Sequence, residues 1–319
     1  MKINYSKYIT VIIFVFIFST NMIIYFIING DFSNTTYFES LLAWGDQLIF
    51  YNESLRGTEF RFTSGVNFYS VSMYSVFSEF IVWSILINSI IFALAVDYML
   101  MEKKRYSILY FVLLFPIIFY FSIGFTKEAL LILGITILNR HILMNDLKLA
   151  LFSFVLILIA RPFFAIAILP LLISTFRNNI KIMLFLAVTL TPVYFWILQS
   201  IFVNSFYADR YLNYENTLRL YFPILSIVGN VIAVAKVYLD IFFAEIIGNV
   251  QNSILLSAWF VSFIGIIMNF SRMFSSRSFM FLFIILVISV GPIAHFRYIV
   301  PILFVWGYII LPNKYVSSE

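Results

Sequence analysis

The sequence predicts an all-α, polytopic integral membrane protein of about ten transmembrane helices, some of them short and broken. Both termini are expected in the cytoplasm. Three observations predict this. Of the 319 residues, 63% are hydrophobic and 11% are charged, whereas a soluble domain carries about 25% charged residues. Apolar runs of about 20 residues, enough to cross a bilayer as helix, recur along the whole chain. The basic residues also fall on one side of the runs they separate. Segments expected inside hold Lys2, Lys7, Lys103, Lys104, Arg105, Arg140, Lys148, Arg177, Lys181, Arg272, Arg277 and Lys314, which is 12 of the 20 Lys and Arg. The same segments hold Glu102, Asp146 and Glu319, only 3 of the 15 acids. That is the asymmetry of short cytoplasmic loops. Alternating ten-residue strands do not recur, which disfavours a β-barrel.

The elements follow in order. Residues 8–28, preceded by two lysines, read as a retained first helix, too long for the core of a signal peptide. Residues 29–67 form the longest polar segment and the first extracytoplasmic loop. Its acids alternate with Tyr37, Trp44, Phe50 and Tyr51, a pattern suited to short amphipathic helices at the membrane interface. Residues 80–99 make the second span, which ends at the basic loop Glu102-Lys103-Lys104-Arg105. Residues 106–121 return across the membrane to a polar interruption, Ser122-Ile123-Gly124-Phe125-Thr126-Lys127-Glu128. Thr126 is placed to cap the next helix, with Glu128 in its positive first turn. That span ends at Asn139-Arg140-His141.

Arg161-Pro162 then divides two apolar halves, residues 149–160 and 163–173. Either they form one kinked helix or a hairpin that turns at Arg161; the hairpin is preferred because it gathers Asp146, Lys148, Arg177 and Lys181 on the cytoplasmic side. A span over residues 182–203 leads to a second extracytoplasmic loop, residues 204–219. Residues 220–252 are ambiguous. The remainder crosses at 254–270, 279–291 and 299–311. The whole chain, 1–319, reads as one transmembrane domain.

The composition also excludes functions. The chain has no Cys and two His, so disulfides, thiolate chemistry and a histidine metal cluster are absent. No metalloprotease, nucleophile-elbow, Walker or dinucleotide-binding motif occurs. No metal and no cofactor is expected. The net charge of +5 is spread over short loops, so no nucleic-acid partner is expected.

What stands out is a set of isolated charges inside apolar sequence. An ionised side chain at the bilayer centre costs about 2.5–3.5 kcal/mol on insertion scales. Lys127, Glu128, Arg161, His295 and Arg297 all fall toward the outer leaflet. Lys127, Arg161 and Arg297 suit a diphosphate, because a guanidinium presents a planar fork to phosphate oxygens. Asp46, Glu128 and His295 are the candidate bases for an acceptor hydroxyl. Trp44, Tyr51, Arg210 and Tyr211 are candidate sugar contacts. Plainer readings stand beside these. Arg297 next to Tyr298 suits an interfacial anchor, and Arg161 suits a partner that neutralises Glu128 and holds the bundle together. His295 and Asp46 suit ordinary loop residues.

The order Gly45-Asp46-Gln47…Tyr51, then Phe125-Thr126-Lys127-Glu128, then Arg161-Pro162, then His295-Phe296-Arg297-Tyr298-Ile299-Val300-Pro301 resembles that of bacterial O-antigen and capsular polysaccharide polymerases of the Wzy and EpsG-like kind. It is also similar to polyprenyl-phosphate-dependent glycosyltransferases of the GT-C class. The resemblance implies a multi-pass protein of the bacterial inner membrane. It would join polyprenyl-diphosphate-linked oligosaccharide repeat units in lipopolysaccharide or capsule biosynthesis, beside a chain-length regulator protein. The chain departs from those families in its short length, its small second loop and its lack of paired acids after the first helix. A single-addition transferase and a lipid-linked oligosaccharide flippase are the alternatives. A carrier needs charged residues toward both faces, and here they gather toward one.

Overall fold

The computed structural model describes residues 6–39, 45–55, 68–77, 79–102, 115, 118–119, 121–144, 147–161 and 165. All regular structure among them is helical. In chain order it comprises α1 (Ser6–Asn29), α2 (Asn34–Glu39), α3 (Gly45–Leu55), α4 (Phe68–Val76), α5 (Phe80–Glu102), α6 (Lys127–Met144) and α7 (Leu147–Ala160).

Two of these helices are long and apolar enough to cross a membrane, over Tyr8–Asn29 in α1 and Phe80–Tyr98 in α5. The 24 residues of α1 rise about 36 Å, enough to exceed a hydrocarbon core of about 30 Å. Its buried stripe is Ile13, Ile17, Asn21 and Tyr25, one residue per turn, and α1 packs against α5. The opposite face exposes Ile12, Val15, Phe16, Ile23 and Phe26. Helix α1 stops at Gly30, which has φ of 77°, a left-handed turn that glycine makes at no steric cost. The chain then reverses through an Asx turn. The Ser33 N–H and the Thr36 hydroxyl donate to Asp31 Oδ1 at 3.1 and 2.7 Å, and the Thr36 N–H donates to Ser33 Oγ at 3.3 Å, capping α2.

The loop expected over residues 29–67 thus carries α2 and α3, short helices as its aromatic–polar pattern predicted. Together with α4 they cluster at the end of the bundle where α5 begins, here called the loop end. Phe80, the first residue of α5, is fully buried and is the hub of this cluster. Its ring meets Tyr37 at 5.3 Å, Phe38 at 5.3 Å, Tyr51 at 5.6 Å and Tyr74 at 4.9 Å between centroids. Aromatic pairs of this kind contribute about 0.5–1.5 kcal/mol each beyond area burial.

Helices α6 and α7 form an antiparallel hairpin joined at the far end. They approach closely at Gly134, where an added Cβ would lie 2.6 Å from Ile157 Cγ1 and 3.3 Å from the Ser153 carbonyl oxygen. Small or slim residues, Ala150, Ser153, Ile157 and Ala160, are buried along α7. The hairpin therefore returns the end of α7 to the start of α6. At that end the Arg161 N–H donates to the Ile157 carbonyl at 2.7 Å, and the Ala165 N–H donates to the Arg161 carbonyl at 3.2 Å. Apart from Ala165, the second apolar half, where the hairpin and the kinked helix would differ, lies outside the described residues. The second loop at 204–219 and all later spans lie outside the described residues.

Candidate functional site

The site is built around the interruption before α6. Residues Ser122, Ile123, Gly124, Phe125 and Thr126 are all buried, so their backbone polar groups need partners inside the protein. Helix α5 supplies two. Asn88 Nδ2 donates to the carbonyls of Phe121, Ser122 and Gly124 at 3.4, 3.0 and 2.9 Å. The Gly124 N–H donates to Ser84 Oγ at 2.9 Å. Ser84 and Asn88 are one helical turn apart, about 6 and 12 Å along the axis from Phe80. The interruption consequently lies within the span of α5 rather than at its end.

The loop-end helices supply the rest. The Phe125 N–H donates to the Tyr74 hydroxyl at 3.2 Å, which itself donates to Gln47 Oε1 on α3. The Tyr37 hydroxyl on α2 donates to the Ile123 carbonyl at 3.4 Å. Gly124 has φ of 77° and faces both tyrosines. Burial pushes the Tyr74 phenol well above its ordinary range, and the nearby Tyr69 pushes it further, against the lowering effect of the Phe125 N–H. Tyr74 therefore stays protonated at any physiological pH. It can donate to Gln47 and accept from Phe125 at once.

Thr126 occupies the position before the first residue of α6, as expected of a cap. Its hydroxyl, however, donates backward to the Phe121 carbonyl at 2.8 Å. The Ser122 hydroxyl does the same to Ile118 at 2.6 Å. Both side chains hold the end of the preceding helical segment together.

Two charged residues meet at the start of α6. Arg161 Nη2 donates to Glu128 Oε1 at 2.6 Å, with side chains 15% and 6% exposed. Lys127 lies beside them with Nζ 5.3 Å from the centre of the Phe50 ring on α3, a cation–π contact that ties the loop helix to the charged cluster. Glu128 is buried and engaged by Arg161. The arrangement brings together Lys127, Glu128 and Arg161, three of the residues that the sequence singled out.

The other expected residues are placed as follows. Asp46 belongs to the first turn of α3, the helix that carries Gln47 and Phe50 into contact with the site. Tyr51 is half-buried, with its ring 5.1 Å from Phe38 and 5.9 Å from Tyr74, so it packs the loop helices together. Trp44, Arg210, Tyr211, His295 and Arg297 lie outside the described residues. Sequence reasoning missed Ser84, Asn88, Tyr37 and Tyr74 as residues that shape the site. The available signal was the pair Ser84 and Asn88, polar groups four apart on one face of an otherwise apolar span.

No protein-family model, no curated protein and no solved structure matches this chain. The chemistry of the cluster therefore carries the functional argument.

Proposed function

We propose that this protein is an integral membrane glycosyltransferase that joins polyprenyl-diphosphate-linked oligosaccharide repeat units, the reaction of a bacterial O-antigen or capsular polysaccharide polymerase. The observation that carries the reading is the buried Arg161–Glu128 pair, with Lys127 beside it, at a helix start set within the span of α5. Buried ion pairs often stabilise no better than apolar residues of the same size. On the proposed reading, such a pair beside a second cation and an interrupted helix sets charge at the depth where a lipid-linked anion would carry its head.

In this reaction an acceptor hydroxyl attacks the anomeric carbon of the donor sugar. The bond from that carbon to the diphosphate oxygen breaks, and the lipid diphosphate leaves with the electron pair. The hydroxyl proton passes to a base. Arg161 and Lys127 stabilise the charge that develops on the leaving group, with Arg297 as a third cation. Glu128 is already engaged by Arg161, so in the resting state it orients the guanidinium. Asp46 and His295 are the remaining candidates for the base. Catalysis of this kind resides on the outer face of the inner membrane, where a chain-length regulator would meet the product.

The test is glycan chain length on gels, read beside membrane protein level. Arg161→Ala is expected to abolish polymer, and Arg161→Lys, which keeps a positive charge beside Glu128, to leave weak activity at normal expression, since an ammonium lacks the bidentate fork. Losing one contact to the developing charge lowers the rate by about 10²–10³. The double variant Arg161→Met, Glu128→Gln distinguishes scaffold from site. Full polymer from it would overturn the reading, because it removes the charges while relieving the buried imbalance.

A further inference from the structure

We propose that Phe50 of α3 is a positioning residue, which fixes the Lys127 ammonium where the diphosphate of the lipid-linked donor takes its charge. This role rests on the reading above and adds to it a residue that carries no charge of its own.

Lys127 is the first residue of α6. A cation there faces the positive end of its own helix, which disfavours it. A lysine stem is also long and flexible, so its ammonium is poorly placed until something holds it. Phe50 answers both needs. The centre of its ring lies 5.3 Å from Lys127 Nζ, inside the range of about 6 Å over which a ring face attracts a cation. The ring is uncharged, so the contact orients the ammonium and leaves its charge for an incoming anion. A carboxylate in that place would offset the charge, as Glu128 does for Arg161.

The ring is itself held. Phe50 is 4% exposed. Gln47, three residues earlier on the same face of α3, is buried and accepts from the Tyr74 hydroxyl. That hydroxyl accepts from the Phe125 N–H at 3.2 Å, two residues before Lys127. Tyr51, next to Phe50 in the chain, packs its ring on Tyr74 and Phe80. One helix thus grips both the backbone just before Lys127 and the end of its side chain. A shift of the ring relative to the start of α6 strains the chain of bonds from Gln47 through Tyr74 to Phe125.

The experiment places phenylalanine carrying one, two or three ring fluorines at position 50 of the full chain in lipid nanodiscs. Fluorine draws electron density from the ring face and weakens its hold on a cation, while the ring keeps its size and apolar character. Binding of farnesyl diphosphate, inorganic pyrophosphate and farnesol is measured for each. We expect farnesyl diphosphate affinity to fall stepwise with each fluorine, about three- to tenfold in all, with farnesol binding unchanged. The same series in a Lys127→Met background should be flat, because the cation that senses the ring is gone. Affinity that ignores the fluorines, together with affinity lost in Lys127→Met, would overturn the role of Phe50 and leave the proposed reaction standing. Affinity that rises with fluorine would overturn it too, since the ring would then hold Lys127 away from the ligand. An equal fall in the Lys127→Met background would overturn it by showing that the ring does not act through the ammonium. Pyrophosphate binding as tight as farnesyl diphosphate, weakened stepwise in the same series, would keep the role of Phe50 and remove the lipid-linked substrate. Wild-type protein that binds neither diphosphate would remove both.

Discussion

At Gly124 a methyl group has nowhere to go. A Cβ there would stand 2.5 Å from the Tyr37 hydroxyl and 3.2 Å from that of Tyr74, on a backbone with φ of 77°. Left-handed backbone alone costs an L-residue about 1–2 kcal/mol, and the clash adds to it. Gly124→Ala is therefore expected to lower the melting temperature of the purified protein and to release the loop helices, seen as faster proteolysis within 29–67. Glu128→Gln leaves the Arg161 charge without its carboxylate, a change that costs about 3–5 kcal/mol for a buried pair. Adding Arg161→Met should recover most of that loss in thermal unfolding. Asp31 makes a smaller prediction. The Thr36 hydroxyl and then the Ser33 N–H hold its carboxyl below the ordinary aspartate range. A lowered folded pKa means that its contribution is present above the ordinary aspartate value and is lost as pH falls through the lowered one. Amide exchange in α2 should rise in that acidic window, and Asp31→Ala should abolish the pH dependence. Asp31 is fully exposed, so global stability should barely respond.

At the scale of elements, α5 is a template for the interruption, and α6 with α7 is a caliper that brings Arg161 to Glu128. Asn88→Leu keeps the volume of the side chain and leaves the buried Ser122 carbonyl without its donor, while the Phe121 and Gly124 carbonyls keep the Thr126 hydroxyl and N–H. Such a loss costs about 1–3 kcal/mol. The expected result is lower protein level and loss of the Arg161–Glu128 contact. Gly134→Val should separate α6 from α7 near Ile157 and move Arg161 away from Glu128 while leaving both charges in place. A cysteine pair at 128 and 161 checks this directly, because the chain has no Cys of its own. Crosslinking should be efficient alone and poor with Gly134→Val. Part of this architecture was legible in the sequence. Lys127, Glu128 and Arg161 stood out because charges inside apolar runs are costly, and that cost is local and visible. Helices α1 and α5 were legible from apolar length. Asn88, Ser84, Tyr37 and Tyr74 were not. A neutral polar residue in a span carries no comparable penalty, and Tyr74 is one of 20 tyrosines whose partner Phe125 lies 51 residues away.

At the scale of the molecule, orientation is the property that the proposed chemistry depends on. The absence of native cysteines makes it measurable one site at a time. Glu39→Cys in α2 should react with a membrane-impermeant maleimide added to intact cells. Lys148→Cys, exposed at the far end of the α6–α7 hairpin, should react only after permeabilisation. The reverse pattern would place the Arg161 cluster toward the cytoplasm and remove an extracytoplasmic reaction. Chain growth by the purified protein should persist in EDTA, since in the proposed reaction cations of the chain would take the part that a divalent metal plays elsewhere.

The separation of Glu128 from Arg161 along the chain, 33 residues, also bears on how the protein is made. On the proposed membrane reading Glu128 is synthesised first, and an ionised carboxylate enters hydrocarbon at a cost of several kcal/mol. The Arg161 that pairs with it follows only after the whole of α7. Helices α6 and α7 would then pass from the insertion machinery into lipid as a unit, closed at Gly134 and joined across their ends. A nascent chain truncated after Met144 should insert poorly, one extended through Ala165 should insert well, and Arg161→Gln in the longer chain should return it to the poor state.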